Sequence, residues 1–318
     1  MSKKLGLNFS VWNKERLGRI RAAASGFELV DLGDCSDKDI ADCEILFGFI
    51  GGDMAKAAKN LKWLHSQSAG IEYYLRPESG LRESVLLTNS SGAYGIGISE
   101  HLVTVTLMLL RKMNEYCLLQ AKNKWQSLGT VRTLYRSNVT VVGFGDIGGN
   151  YAKRCHALGA KVTGVARSER GEKPDYADRL FAADRLGEAL EGADIVALCL
   201  PETNETRHLL SRGRMEALKK GAVILNIGRG SAIEQDALVE LLEEGHLGGA
   251  GLDVASPEPL PVDSKLWNMP NVIITPHVSG GMSLEVTLDL IAEKFVKYLC
   301  DYISGREFER VVDKTLGY

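Results

Sequence analysis

The sequence predicts an α/β protein built from two doubly wound parallel-sheet domains. Three observations predict it. Short apolar runs alternate with helical stretches through residues 1–90, a second such series starts at Asn138, and a glycine turn, Gly143-x-Gly145-x-x-Gly148, joins strand to helix at the head of that series. A length of 318 residues leaves room for about two domains. The expected division is a discontinuous domain, 1–97 plus 281–318, and a continuous one, 98–280.

In the first series Leu5, Leu7 and Phe9 alternate as in a strand, and residues 13–24 have a helical composition. FELVDL, ILFGFI, LKWLHS and VLLTNS are apolar runs of strand length. Gly51-Gly52 reads as a turn only. Between the series, Ile98, Leu102, Val105, Leu109 and Met113 recur at helical spacing, while Val103, Leu107, Met108 and Leu110 fill much of the other side. Ser99 is the candidate N-cap, with Glu100 in the first turn. A helix apolar nearly all round is expected to be buried on several sides, between domains or in a subunit interface. In the second series strands are expected at 139–142, 161–165, 194–200, 222–227, 249–254 and 272–275. Helices are expected around 149–158, 212–219 and 235–244. After Ser283 a last helix carries Leu284, Leu288, Ile291, Phe295 and Leu299 on one face, and is expected to cross back to the first domain.

Bulk properties exclude several classes. Net charge is −3, from 38 basic and 41 acidic residues, so no nucleic-acid footprint is present. No apolar run approaches the ~18 residues of a membrane span, and MSKKLGLNFSVW has no signal-peptide core. Six scattered cysteines lack disulfide-framework or zinc spacing. They read as reduced thiols of a cytoplasmic protein, with no metal site.

The glycine turn has the strand–turn–helix context of a dinucleotide fingerprint in a Rossmann-type domain. Gly143 permits the turn, Gly145 lets the backbone approach a pyrophosphate, and Gly148 allows close helix–strand packing. The helix that leaves the turn aims its free N–H groups at the phosphates, and Asp146 and Ile147 between the glycines are counted among the cofactor-binding residues. An NAD-preferring fold then carries an acid at the end of the next strand, on the ribose 2′-OH. Here AKVTGVARSER offers Ala166, Arg167, Ser168 and Arg170, with Glu169 among them, and no carboxylate at the strand tip. A guanidinium and a hydroxyl suit a 2′-phosphate. NADP(H) is therefore expected over NAD(H).

Chemistry-bearing residues gather at three further strand ends: Arg229 in NIGRG, Asp253 and Glu258 in LDVASPEP, and His277 in TPHVSGG. Arginine grips a carboxylate. Histidine shuttles a proton near neutral pH, and a nearby glutamate orients it and favours its charged form. Beside a nucleotide loop, this set describes hydride transfer coupled to proton transfer.

With LKWLHSQSAGIEY, VVGFGDIG, LCLPETNETRHLL, NIGRG, LDVASPEP and TPHVSGG in this order and spacing, the chain resembles the D-isomer-specific 2-hydroxyacid dehydrogenases over nearly its whole length. The resemblance implies a smaller flavodoxin-like substrate domain and a Rossmann NAD(P)-binding domain. It implies Arg229, Glu258 and His277 as the catalytic trio, and substrate carboxylate held by Arg229, with His277 at the reacting oxygen and backbone amides near Ser68, Ala69 and Gly70. On the cofactor side it adds Leu200, Pro201, Thr206, Ile227 and Asp253, the last on the nicotinamide carboxamide. It also implies a homodimer. Ala255 stands where the family often has an aromatic residue.

The other histidines (65, 101, 156, 208 and 246) read as core or surface residues, with His101 at an interface. Tyr73, Tyr74, Tyr94, Trp267 and Met269 read as packing. Glyoxylate and hydroxypyruvate are the first candidate substrates. Phosphoglycerate dehydrogenase is the same-family alternative, weighed lower because nothing beyond the two-domain core reads as a regulatory domain. A catalytically silent, corepressor-like nucleotide sensor is the alternative from another class, and the intact trio argues against it.

Overall fold

The computed structural model describes residues 3–168 and 172–315. It separates into two compact units, Met1–Tyr94 with Met282–Tyr318, and Gly95–Gly281.

The first unit runs β1 (Lys3–Leu7), α1 (Lys14–Ala23), β2 (Phe27–Asp31), α2 (Asp37–Asp42), β3 (Cys43–Phe47), α3 (Gly52–Ala57), β4 (Trp63–Ser66) and β5 (Leu86–Asn89). All strand pairs are parallel, in the order β2-β1-β3-β4-β5. That is the flavodoxin-like order. Every residue of β3 and β4 is buried, as expected of a strand covered on both faces. Two expectations fail locally. Phe9 opens a 3-10 turn instead of continuing β1. Gly51 and Gly52 are more than a turn: Gly51 caps α3 and Gly52 is its first residue. A Cβ on Gly52 would meet Glu78 O at 2.3 Å, so close packing explains the glycine.

The second unit opens with α4 (Gly95–Arg111) and α5 (Met113–Ala121). It continues β6 (Asn138–Val142), α6 (Asp146–Ala157), β7 (Lys161–Ala166), β8 (Arg179–Ala182), α7 (Leu186–Leu190), β9 (Ile195–Leu198), α8 (Arg212–Glu216), β10 (Ala222–Asn226), α9 (Gln235–Glu243), β11 (Leu247–Leu252) and β12 (Val272–Ile274). Its parallel sheet has the order β12-β11-β10-β9-β6-β7-β8. Strand direction of travel reverses between β6 and β9, the switch point of a Rossmann sheet. The expected strands are present; α5, β8 and α7 are additions. The sequence before β8 is polar, and the strand holds only four residues at the sheet edge, one exposed and three half-buried, too few to show a period.

Helix α4 corrects the expectation at its start. It begins at Gly95, and Ser99 lies buried inside it, with its hydroxyl on Ile96 O. Glycine lowers helix propensity, which hides this start in the sequence. The reason for it is close approach, because a Cβ on Gly95 would meet Asp146 Oδ1 at 2.3 Å at the head of α6. The helix is also less buried than its composition suggests. Ile98, Leu102, Val105 and Leu110 are buried, whereas Leu107 and Met113 are exposed. Lys112 at φ 55° breaks the run before Met113.

α10 (Glu285–Ile303) belongs to the first unit, as its apolar face predicts. Leu288, Ile291, Phe295 and Leu299 are buried, and Phe295 stacks on Phe47 at 3.8 Å. Leu284 departs from the pattern as an exposed N-cap. Arg16 of α1 is buried against this helix, with Nε on Asp289 at 2.8 Å and Nη2 on Glu285.

Candidate active site

The second unit brings its chemistry-bearing residues to the C-terminal edge of one parallel sheet, where open α/β sheets bind ligands. After β6, Gly143 adopts φ 94°, and a Cβ there would meet Cys199 O at 2.4 Å. A Cβ on Gly148 would meet Gly143 O at 2.1 Å, while Gly145 borders open space. The turn is thus closed against its own sheet and open outward, with the first N–H groups of α6 above it. These residues fit a pyrophosphate. Asp146 is the acidic residue of the helix's first turn, hydrogen bonded from Asn150 Nδ2 at 3.1 Å, and Ile147 lies beside it.

β7 ends at Ala166, and Arg167 and Ser168 follow it, exposed. Glu169 and Arg170 lie outside the described residues. After β9, Leu200 packs against the sheet core. Thr206 Oγ1 donates to Pro201 O at 2.8 Å and accepts from Thr203 N at 2.8 Å, so this hydroxyl shapes the turn itself.

β10 leads to Ile227 and Arg229. Buried Asn226 organises the turn by accepting from Gly228 N at 3.1 Å and donating to Arg229 O at 2.9 Å. Arg229 Nη1 donates to Gly228 O at 2.7 Å. A Cβ on Gly230 would meet Ala255 O at 1.9 Å, which keeps this turn tight against the 255–258 loop. Gln235 pairs with Ser256 in both directions, Nε2 to O at 2.9 Å and N to Oε1 at 3.0 Å.

Glu258 and His277 meet directly. Glu258 Oε2 lies 2.9 Å from His277 Nδ1, and its Oε1 accepts from Ala255 N at 3.1 Å. Both side chains remain open to solvent, at 40% and 49% exposure. His277 has φ 53°, a left-handed backbone that a non-glycine residue holds only when its surroundings enforce it. The enforcement comes from Asp253 and Thr275. His277 N donates to Asp253 O at 2.8 Å and Thr275 O at 3.0 Å.

Asp253 is 3% exposed. Its carboxylate accepts from Thr275 Oγ1 (2.6 Å), Val278 N (3.0 Å), Ser279 N (3.0 Å) and the Ser279 hydroxyl. Burial alone would raise its pKa. The bonds from Ser279, Thr275 and Val278 outweigh burial and hold the group below the usual carboxylate range. Four donors fill the acceptor capacity of a carboxylate, so Asp253 braces the histidine loop from within. His101, expected at an interface, lies with Nε2 3.3 Å from Thr275 Oγ1, behind that brace. Asn226, Gln235, Thr275 and His101 are supporting residues that motif reading passed over. The one available signal was Asn226 before Ile-Gly, a turn-forming asparagine.

In the first unit Ser68, Ala69 and Gly70 follow β4 at the corresponding sheet edge, half-buried. Tyr73 and Tyr74 pin the 50–52 backbone: Tyr74 Oη accepts from Ile50 N and Tyr73 Oη from Gly52 N, both at 2.9 Å. Trp267, read as packing, is half-exposed with Nε1 on Pro261 O, and Met269 packs on the sheet core. Among the described residues no cluster has the composition of a metal site, and no helix is long and apolar enough to cross a membrane.

The chain matches the family model of the D-isomer specific 2-hydroxyacid dehydrogenase NAD binding domain over residues 103–279. It is 30% identical to a glyoxylate reductase of Thermofilum pendens over 255 residues, 79% of this chain and 74% of that one. It superposes on a D-isomer specific 2-hydroxyacid dehydrogenase family protein of Aeromonas salmonicida with a TM-score of 0.84 and 32% identity, covering 99% and 100% of the two chains. An NADPH-dependent glyoxylate/hydroxypyruvate reductase of Sinorhizobium meliloti, solved with NADP and sulfate, is similar at a TM-score of 0.82 and 28% identity, with 100% of both chains covered.

Proposed function

This chain belongs to the D-isomer specific 2-hydroxyacid dehydrogenase family, and we propose that it interconverts a small 2-keto acid and its D-2-hydroxy acid, with His277 as the acid–base group. The observation that carries the reading is the 2.9 Å pairing of Glu258 with His277 Nδ1. It commits one ring nitrogen to the carboxylate and leaves Nε2 for the reacting oxygen. Glu258 fixes the tautomer and the orientation of the ring. Arg229 binds the substrate carboxylate as a planar donor, and Asn226 sets its backbone. Bound at the glycine turn, NAD(P)H supplies the hydride to C2 of the keto acid. His277 Nε2 then gives its proton to the emerging alkoxide, and takes it back in the oxidative direction. Ser68, Ala69 and Gly70 present backbone amides to the same class of carboxylate. On this reading the discontinuous unit is the substrate domain and residues 95–281 form the cofactor domain.

NADP(H) is the preferred cofactor. Arg167 and Ser168 at the end of β7 support it, as does the NADP held by the similar Sinorhizobium reductase. Glyoxylate and hydroxypyruvate are the first substrates to try, on the names of the similar reductases. A homodimer fits the exposed Met113, Leu118 and Trp125 on and after α5. Cytoplasmic residence fits six cysteines without a disulfide.

The decisive assay follows absorbance at 340 nm with a panel of 2-keto acids and each cofactor. The expected result is turnover with at least one 2-keto acid and a higher kcat/KM with NADPH. A flat trace across the panel with tight NADPH binding retained would favour the sensor alternative.

A further inference from the structure

Three successive carbonyls after β4 are each held by a different residue of one segment, 89–94. Gln67 O accepts from Tyr94 Oη at 2.7 Å, Ser68 O from Ser90 N at 3.2 Å, and Ala69 O from Asn89 Nδ2 at 2.8 Å. Asn89, Ser90 and Tyr94 are all buried, so water does not compete for these bonds. The peptides here are trans. In a planar trans peptide the N–H points opposite to the preceding C=O. Pinning the carbonyls of 67, 68 and 69 therefore turns the N–H groups of 68, 69 and 70 to the other side. Ser68 N donates back to Ser66 Oγ at 3.2 Å. That leaves Ala69 and Gly70 as the two of these residues whose N–H groups are turned away from the 89–94 segment, in the loop that follows β4.

Ser90 is itself fixed from below. Its hydroxyl donates to Ser66 O at 3.0 Å, so it accepts from His65 Nε2 at 3.2 Å. The other ring nitrogen of His65 then accepts from Thr88 Oγ1 at 2.6 Å, and Thr88 accepts from Trp63 Nε1 at 2.8 Å. Each donor has one acceptor along this buried chain, and it ends on the segment that holds the loop.

We propose that Asn89 and Tyr94 are positioning residues for substrate binding, aligning the Ala69 and Gly70 amides as a two-donor cradle for the carboxylate of a 2-keto acid. The inference rests on the proposed function and deepens it. Backbone amides placed this way hold a small anion through charge-assisted bonds, and misaligning one loses about one such bond. Neither Asn89 nor Tyr94 touches the substrate. Their loss acts through peptide orientation, on substrate affinity more than on the chemical step.

The test uses Tyr94→Phe, which removes only a hydroxyl, and Asn89→Leu, which removes the donor at similar volume. Each is expected to raise KM for glyoxylate about tenfold, with kcat and KM for NADPH within about twofold of wild type. Oxalate binding to the NADPH-loaded protein, measured by calorimetry, reads the same cradle without turnover and is expected to weaken by a similar factor. Wild type that reduces no 2-keto acid overturns the proposed function, and the oxalate measurement still decides the cradle. Wild-type KM and wild-type oxalate affinity in Tyr94→Phe overturn the positioning role, as does failure of the wild type to bind oxalate. If Asn89→Leu does not fold, Tyr94→Phe carries the decision alone.

Discussion

His277 stands on a backbone conformation that costs of order 1–3 kcal/mol and is retained because Asp253 and Thr275 hold it. The strain has a use. A left-handed residue straight after a proline projects its side chain from the strand end at a fixed angle, toward the glutamate that orients it. His277→Ala should lower kcat by about 10²-fold or more, the scale of positioned acid–base catalysis. Its KM for NADPH should stay near wild type, and steady-state kinetics with NADPH varied at saturating keto acid measures both. Turnover at the wild-type rate would remove His277 from the mechanism. Asp253→Asn tests the brace. An amide in place of the carboxylate turns an NH₂ toward groups that are all donors, so some bonds must break. Loss of a buried charge-assisted bond costs about 1.5–3 kcal/mol. A lower urea midpoint together with reduced kcat is expected. Reduced cofactor affinity with unchanged stability would instead mean that Asp253 serves the nicotinamide alone.

The elements show what a sequence can reveal and what it hides. α10 was legible because five apolar residues at helical spacing need a partner surface, and the first unit supplies it through Phe47 and Trp63. Leu284 fits the spacing yet is the exposed N-cap, outside the buried face. The start of α4 was hidden because a glycine that disfavours a helix, Gly95, is required there by a neighbouring helix. β8 was hidden because a four-residue edge strand has no measurable period. At the site, the meeting of Glu258 with His277 was legible because each sits in a motif at a strand end. Asn89, Tyr94, Thr275 and His101 were not, because their roles come from hydrogen bonds across large sequence separations. The tie between α10 and α1 allows a comparison of forces. Arg16 is buried, but its partners Glu285 and Asp289 have side chains 76% and 44% exposed, and such partly solvated pairs contribute little. Phe295 is fully buried between aromatic rings. Phe295→Ala should cost about 3–5 kcal/mol and Arg16→Met clearly less, by urea denaturation. The reverse ranking would assign the helix's attachment to the ion pairs.

Across the whole molecule, pH should act on the two units unequally. Burial, with a smaller contribution from the charge of Lys294, pushes His65 down to about 3 from its ordinary 6.5. The ring is 0% exposed, and its two nitrogens are committed as one donor and one acceptor. A proton on the acceptor nitrogen would break the chain to Thr88. The folded first unit therefore refuses a proton that its unfolded chain accepts. Its stability is complete above the unfolded value of 6.5 and falls as pH drops below it, levelling off near the folded value. The slope in that window is about 1.4 kcal/mol per pH unit. In the second unit, Asp194 and Asp253 carry pKa values lowered by hydrogen bonds that outweigh burial. Their contribution is present above the ordinary carboxylate value and fades only below about pH 4. Between about pH 7.5 and 5.5, then, the first unit should lose about 1.4 kcal/mol through His65, without a matching loss in the second from these carboxylates. Native-state hydrogen exchange separates the two, with core amides of β4 and β5 losing protection over this interval and those of β6 and β9 keeping it. His65→Gln supplies a side chain that does not titrate, and its β4 and β5 amides should show no such pH dependence. Equal losses in both units of the wild type, or an unchanged slope in the variant, would mean that His65 is not the group that sets acid sensitivity.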